Sequence, residues 1–323
     1  MTITAPTSPT GERAARDEGG RSAQNAARIA KLNAASLRRV VEPDTDVPGE
    51  VGSGPVIPRE LMSVVDLGLD LSDDQWSTLG REELAAVVDA GIRFETLLMS
   101  GFSEMIAYAA RMDDERIVYM LHEIGEETRH SRLFVRLLGQ LRPTAVNPFA
   151  RRLPNLVFRT VSRTLIHRPT PLCVLVLAGE EIPDLLQKKM AEHPETDGFI
   201  RDVSRYHRME EARHLAFART VLPELWERAP VIDRVLVLRV LPLVIRTMFD
   251  GLIHPGVYRT VGLPGWQTWR AAAASPSRVA LRHEATRPVL AAMLAAGVVT
   301  AGQVPSGWRR LCGVDGDGAP VTG

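Results

Sequence analysis

"YHRMEEARHLAF", residues 206–217, places two histidines and two glutamates between small and apolar residues. In a helix, His207, Glu211 and His214 share one face with Ala218. An apolar face of this kind turns toward a protein core, where ionisable groups are costly unless they are paired or bind metal. The stretch therefore predicts a helix inside a bundle, with a metal site on its buried face.

A second stretch, "HEIGEETRHSRLF" at residues 122–134, repeats the pattern with Glu127 and His130. The alignment of "EETRHSRLF" with "EEARHLAFA" reveals a short internal repeat, which is typical of a bundle with pseudo-twofold symmetry. In this alignment Glu123 occupies the place of His207, and the sequence leaves its role open.

The remaining charged residues of the two motifs suggest ion pairs on the helix surface. Glu126 and Arg129 are three residues apart, as are Glu210 and Arg213, and this spacing brings side chains together on a helix. We expect these four residues to face solvent while their neighbours point inward.

A metal site built from two Glu-x-x-His helices needs one carboxylate from each of two other helices. Glu95 provides the first, because it is the carboxylate in the middle of an otherwise apolar helical stripe. Either Glu180 or Glu181 provides the second. Glu95 precedes Glu127 by 32 residues and Glu180 precedes Glu211 by 31, which favours Glu180 and leaves Glu181 as the alternative.

The predicted ligands combine carboxylates with imidazoles on four separate segments. They are Glu95, Glu127, His130, Glu180, His207, Glu211 and His214. Zinc structural sites favour thiolates and four ligands, and magnesium avoids imidazole, so this set suits a pair of irons, with manganese as the alternative. Asp184 and Gln187 continue the face of Glu180 and are predicted to support the ligands.

Helical periodicity extends over most of the chain, and alternating β-branched segments hardly occur. The predicted long helices cover about 81–112, 113–141, 170–191 and 198–222, followed by apolar helices near 230–250 and 276–297. The fourth is expected to stop before Pro223, and the third to begin with Thr170 as its N-cap. The fold class is all-α, a four-helix bundle with additional C-terminal helices.

The predicted domain organisation has three parts. Residues 1–50 form a disordered or arm-like segment, 51–312 the helical bundle domain and 313–323 a flexible tail.

The charge composition argues against nucleic-acid binding, because Lys+Arg and Asp+Glu both number 39. Two cysteines, no apolar leader and no run long enough to span a bilayer predict a cytoplasmic protein without a membrane partner.

Between about residues 80 and 225 the sequence resembles the ferritin-like di-iron carboxylate proteins, and among them the p-aminobenzoate N-oxygenase (AurF-type) family. The two Glu-x-x-His motifs with Glu95 and Glu180 carry the general resemblance. His207 carries the narrower one, because that family has a third histidine four residues before the second Glu-x-x-His glutamate.

The resemblance implies a ferritin-like fold and a non-haem di-iron monooxygenase that uses two irons and O2. Its substrate would be a small molecule, an aromatic amine, oxidised at nitrogen through a peroxo di-ferric intermediate. It also implies an external electron donor, a homodimer and a role in secondary metabolism.

Other readings of the same ligands stay open. A di-iron C–H hydroxylase or an acyl desaturase would use the same site without His207. A radical protein of the ribonucleotide-reductase type would have a tyrosine where this chain has Phe134. Iron storage is the non-enzymatic alternative, although about a hundred residues follow the last predicted ligand, far more than a storage cage needs.

Overall fold

The computed structural model describes residues 9–38 and 40–321 of the 323-residue chain. Its regular structure in these ranges is helical, with one isolated β-bridge between Val314 and Pro320. The predicted all-α class is confirmed. None of the described helices is both long and apolar enough to cross a membrane.

Two helices precede the bundle, α1 (Pro9–Arg38) and α2 (Pro43–Asp46). Helix α1 packs against two helices of the bundle, and Asn33 Nδ2 donates to Glu115 Oε2 at 2.7 Å. It lies within the segment predicted to be disordered or arm-like, whose first eight residues fall outside the described chain. Short 3-10 helices at Arg59–Leu61 and Val65–Leu67 then lead into the bundle. The proposed division into domains stays a prediction.

Five helices follow: α3 (Asp73–Ala107), α4 (Glu115–Leu141), α5 (Arg152–Ile166), α6 (Pro169–Glu192) and α7 (Gly198–Glu227). Helices α3, α4 and α7 begin at side chains that accept from free backbone amides. Ser72 and Gln75 form a reciprocal capping box at the start of α3, which is why this helix begins eight residues before the predicted position. Asp114 caps α4 and Asp197 caps α7.

Three further helix boundaries also differ from the prediction. Helix α6 begins at Pro169, and buried Thr170 lies in its first turn, where its hydroxyl donates to the Leu225 carbonyl at 3.1 Å instead of capping. Helix α7 passes through Pro223 and ends at Glu227 because packing against α6 outweighs the one amide that proline lacks. Helix α3 ends at Ala107 rather than near residue 112. Helix α5 was not predicted.

The C-terminal part consists of shorter helices that pack against the bundle. They are α8 (Val231–Val235), a π-helical segment (Leu236–Val240), α9 (Leu241–Gly251), α10 (Pro255–Arg259), α11 (Gly265–Ala274), α12 (Pro276–Ala295) and α13 (Ser306–Cys312). Trp308 is fully buried among them and its Nε1 donates to the Val237 carbonyl at 3.0 Å. Helix α12 packs along α6 and covers that side of the bundle.

Two apolar clusters fill the interior, and the predicted ligands lie between them. Along α3, Val88 belongs to one cluster and Leu98 to the other, with Glu95 in between. Along α7, Val203 and Ala218 mark the same two clusters on either side of the histidines. The bundle therefore has a charged layer in its middle, closed off by apolar side chains at both ends.

Candidate metal centre

All seven predicted ligands lie in this charged layer, and none is more than 4% exposed. They come from the four long helices α3, α4, α6 and α7. Helix α3 contributes Glu95, α4 contributes Glu127 and His130, and α6 contributes Glu180. The remaining three lie on α7.

The side chains gather into two adjacent groups. In the first, one donor atom each from Glu95, His130 and His207 lie within 4.8 Å of one another. In the second, the same distance encloses donor atoms of Glu127, Glu180, Glu211 and His214. We call these the imidazole-rich group and the carboxylate-rich group.

Glu127 and Glu211 lie where the two groups meet. His130 Nδ1 is 3.3 Å from Glu127 Oε2 and 3.2 Å from Glu211 Oε1. His214 Nδ1 is 2.8 Å from Glu211 Oε2 and 3.3 Å from Glu127 Oε1. Each of these two carboxylates thus faces a histidine of either group, which is the position that a bridging carboxylate requires.

The sequence left Glu180 and Glu181 as alternatives, and the structure separates them. Glu180 belongs to the carboxylate-rich group, whereas Glu181 turns outward to pair with Arg219. Gly179 makes the approach of α3 to this turn feasible, because a Cβ there would lie 1.7 Å from the Phe94 ring.

The outer nitrogens of the two motif histidines are held by crossed hydrogen bonds. His130 Nε2 on α4 donates to Glu210 Oε2 on α7 at 2.9 Å. His214 Nε2 on α7 donates to Glu126 Oε2 on α4, also at 2.9 Å. These bonds leave both Nδ1 atoms facing the centre, the orientation that a metal-binding histidine needs.

The expectation that Glu126 and Glu210 face solvent is therefore wrong, since they are 2% and 0% exposed. The arginines were predicted to pair with a glutamate of their own helix, but most of their contacts join α4 to α7. Arg213 Nη2 lies 2.8 Å from Glu126 Oε1 on α4 and 3.4 Å from Glu210 Oε1 on its own helix, and Arg129 Nη2 lies 3.7 Å from Glu210 Oε1. Tyr206 also donates to Glu210, at 3.1 Å.

These contacts keep Glu126 ionised inside the protein. Burial raises the pKa of this carboxyl, but the hydrogen bond from His214 and the charge of Arg213 outweigh it and lower the pKa to about 2. A carboxylate that accepts from the outer nitrogen of an imidazole makes the inner nitrogen a stronger electron donor.

The imidazole-rich group has supports of its own. His207 Nδ1 donates to Gln187 Oε1 at 3.0 Å, so its Nε2 faces Glu95 Oε1 at 3.3 Å. Ser131 holds the other oxygen of Glu95 at 2.6 Å. Of the two predicted supports, Gln187 contacts the predicted ligand His207, whereas Asp184 pairs with Arg208.

The predicted ligands comprise four carboxylates and three imidazoles, and the carboxylates lie close enough to repel one another. Burial and the nearby charges of Glu211 and Glu127 raise the pKa of Glu180 well above its usual range. One oxygen of each of these three carboxylates is buried without a hydrogen-bond partner. Carboxylate oxygens and imidazole nitrogens that face one another across this layer form a donor set of the kind that binds two transition-metal ions.

Comparison with known proteins agrees with this geometry. The family described as P-aminobenzoate N-oxygenase AurF matches residues 22–297, which include all seven predicted ligands. The chain belongs to the AurF family. Members of this family are di-iron enzymes with a ferritin-like helical fold, so the suspected resemblance is confirmed and extends well beyond the motif region.

Similar proteins occur in mycobacteria. Uncharacterized proteins MT0908 and Rv0885 of Mycobacterium tuberculosis (strains CDC 1551 / Oshkosh and ATCC 25618 / H37Rv) are each 29% identical to this AurF-family chain over 241 residues. The match covers 70% of this chain and 69% of each relative. Uncharacterized protein Mb0909 of Mycobacterium bovis (strain ATCC BAA-935 / AF2122/97) gives the same values.

Proposed function

We propose that this AurF-family protein is a di-iron oxygenase that transfers an oxygen atom from O2 to the nitrogen of an aromatic amine. The observation that carries the proposal is the meeting of three imidazoles and four carboxylates in one buried layer. His207 supports the narrower assignment, because its Nε2 faces the centre and adds a third imidazole.

The residues proposed as ligands are Glu95, Glu127, His130, Glu180, His207, Glu211 and His214. Bound irons would supply the electrons that activate O2, which aliphatic and aromatic side chains cannot do. The first oxidation converts an arylamine, O2, two electrons and two protons into a hydroxylamine and water. The two electrons come from an external donor, and a homodimer stays a prediction.

The chain's own contribution is to hold these donors in a layer that is closed to solvent. Phe134 stacks on His207 with ring centroids 5.0 Å apart, in the place where a radical protein would have a tyrosine. Excluding water protects a reactive oxygen species from side reactions and strengthens electrostatic interactions in the site.

Metal loading followed by an oxygenation assay tests the proposal. The purified protein is loaded anaerobically with ferrous iron, its metal is counted, and a reductant, ¹⁸O2 and p-aminobenzoate or related arylamines are added. We expect two irons per chain and ¹⁸O on nitrogen by mass spectrometry, with a Glu211→Ala variant as the control without activity.

Each alternative gives a different result. Oxygen on carbon, or a new double bond, would favour the hydroxylase or desaturase, and many irons per chain would favour storage. A parallel loading with manganese tests the metal. A protein that retains neither metal, or that oxidises no arylamine while holding two irons, contradicts the proposal.

A further inference from the structure

Glu123 on α4 is a buried carboxylate that the seven ligands do not include. It is 0% exposed, and both of its oxygens lack a hydrogen-bond partner. Other buried glutamates outside the ligand set are paired: Glu83 accepts from Ser63 at 2.5 and 2.9 Å, and Glu82 accepts from the Thr144 amide at 2.7 Å. An ionisable group left unpaired in a core is costly, so Glu123 requires an explanation.

The groups around Glu123 do not neutralise it. The largest electrostatic influences on it come from His214, Glu127, Glu211 and Glu126, of which only His214 has a cationic form. The guanidinium of Arg213 on α7 is engaged with Glu126 and Glu210.

The other polar neighbours leave Glu123 free as well. Tyr119, one turn earlier on α4, stacks on Phe217 at 4.2 Å and its hydroxyl is also without a partner. Cys173 on α6 donates to the Ala218 carbonyl at 3.3 Å. No described hydrogen bond therefore has to break for the Glu123 carboxylate to rotate.

The internal repeat indicates where such a rotation leads. Glu123 precedes Glu127 by four residues on α4, just as His207 precedes Glu211 on α7. The pseudo-twofold relation pairs Glu95 with Glu180, His130 with His214, and His207 with Glu123. Because the first member of each pair belongs to the imidazole-rich group, the second is expected at the carboxylate-rich group.

We propose that Glu123 is an additional ligand of the metal in the carboxylate-rich group, where it takes the place that His207 takes in the other group. This inference rests on the proposed di-metal site. The Glu123 oxygens lie outside the set of atoms within 4.8 Å, so the side chain turns inward when metal binds. A carboxylate with three rotatable bonds and no competing hydrogen bond makes this movement cheap.

If Glu123 is a ligand, it lowers the stability of the metal-free protein and raises that of the metal-bound protein. Without metal, Glu123 is an unpaired buried carboxyl and lowers stability. With metal, it contributes a bond and raises stability. A residue that only packed against the site would stabilise both states.

Glu123→Leu and Glu123→Gln test the inference, with Glu83→Gln as the control for the loss of a buried glutamate distant from the centre. Thermal unfolding is recorded for each metal-free protein, and cobalt(II) is titrated against a competing chelator while its visible absorption is followed. The wild type is measured in parallel and is expected to bind two cobalt ions.

We expect both Glu123 variants to unfold without metal at the wild-type temperature or higher. Their second cobalt ion should bind at least about tenfold more weakly, with stronger absorption because its coordination number falls. The first cobalt ion should bind as in the wild type, and Glu83→Gln should bind both normally.

Two results would overturn the inference. One is wild-type affinity and absorption for both cobalt ions in both Glu123 variants. The other is equal loss of both ions together with a lower metal-free unfolding temperature, which would assign Glu123 to packing. A wild-type protein that binds no metal would instead contradict the proposed function, so the two failures are distinguishable.

Discussion

Helices α4 and α7 carry the same order of residues, two adjacent glutamates followed by an arginine and a histidine, but their surroundings differ. Glu210, which contacts His130, also pairs with Arg129 and Arg213 and accepts a hydrogen bond from Tyr206. Glu126, which contacts His214, pairs with Arg213. One turn before the motif, α7 has His207 and α4 has Glu123. A repeated motif thus builds two unlike groups of potential metal ligands, one rich in imidazole and one rich in carboxylate.

The largest effect is expected where the two positions share a residue. Glu211→Ala removes a carboxylate that contacts histidines of both groups, so both metals should be lost together with activity. We expect metal affinity to fall more than about 100-fold, which exceeds the effect of removing a residue that only hydrogen-bonds to a ligand. The metal content of the purified protein measures this, and circular dichroism controls for folding. Retention of one tightly bound ion would contradict the claim that Glu211 serves both metal positions.

A smaller and one-sided effect is expected from His207→Ala. Its Nε2 faces Glu95 in the imidazole-rich group, so that position should lose about 100-fold in metal affinity while the other keeps its ion. Stepwise titration with manganese, followed by electron paramagnetic resonance, separates the two equivalents. A variant with two normal ions and full oxygenation activity would remove His207 from the site.

The crossed hydrogen bonds give the next prediction. Glu210→Gln weakens the support of His130, and Glu126→Gln that of His214, so each should lower metal affinity by about tenfold, at opposite positions. The glutamine keeps the size of the side chain and removes its charge. The same titration tests this, and equal loss at both positions in either variant would argue against separate supports.

The last prediction concerns the stability of the fold rather than metal affinity, and it compares two arginines of α7. Arg213 is mostly buried between two carboxylates, so Arg213→Met should cost about 3 kcal/mol in the free energy of unfolding. Arg205 and Asp202 on the same helix are 60% and 59% exposed in their side chains, and Arg205→Ala should change it by less than about 0.5 kcal/mol. Denaturant unfolding compares the two variants, and similar values would contradict the buried network.

Periodicity within single helices was enough to predict the all-α fold and the residues that meet in the buried layer. Glu95 stood out because one carboxylate interrupted an apolar stripe, and the two Glu-x-x-His motifs fixed the inward faces of α4 and α7. These features are local, since each depends on side chains spaced three or four residues apart on one helix.

What the sequence could not provide depends on contacts between helices. Glu126 and Glu210 looked like surface residues because each has an arginine three positions later, and only the packing of α4 on α7 redirects them to histidines. The choice between Glu180 and Glu181 depended on the rotation of α6, which adjacent glutamates do not reveal. Pro223 was predicted to end α7, but the helix continues through it because tertiary packing compensates for one missing amide.

The central claim is that side chains from four helices hold two metal ions in one buried layer. Anaerobic titration of the metal-free protein with ferrous iron, followed by equilibrium dialysis and metal counting, tests it most directly. The account predicts two tightly bound irons per chain in the wild type and none in Glu211→Ala. Binding of less than one iron, or the same stoichiometry in both proteins, would contradict it.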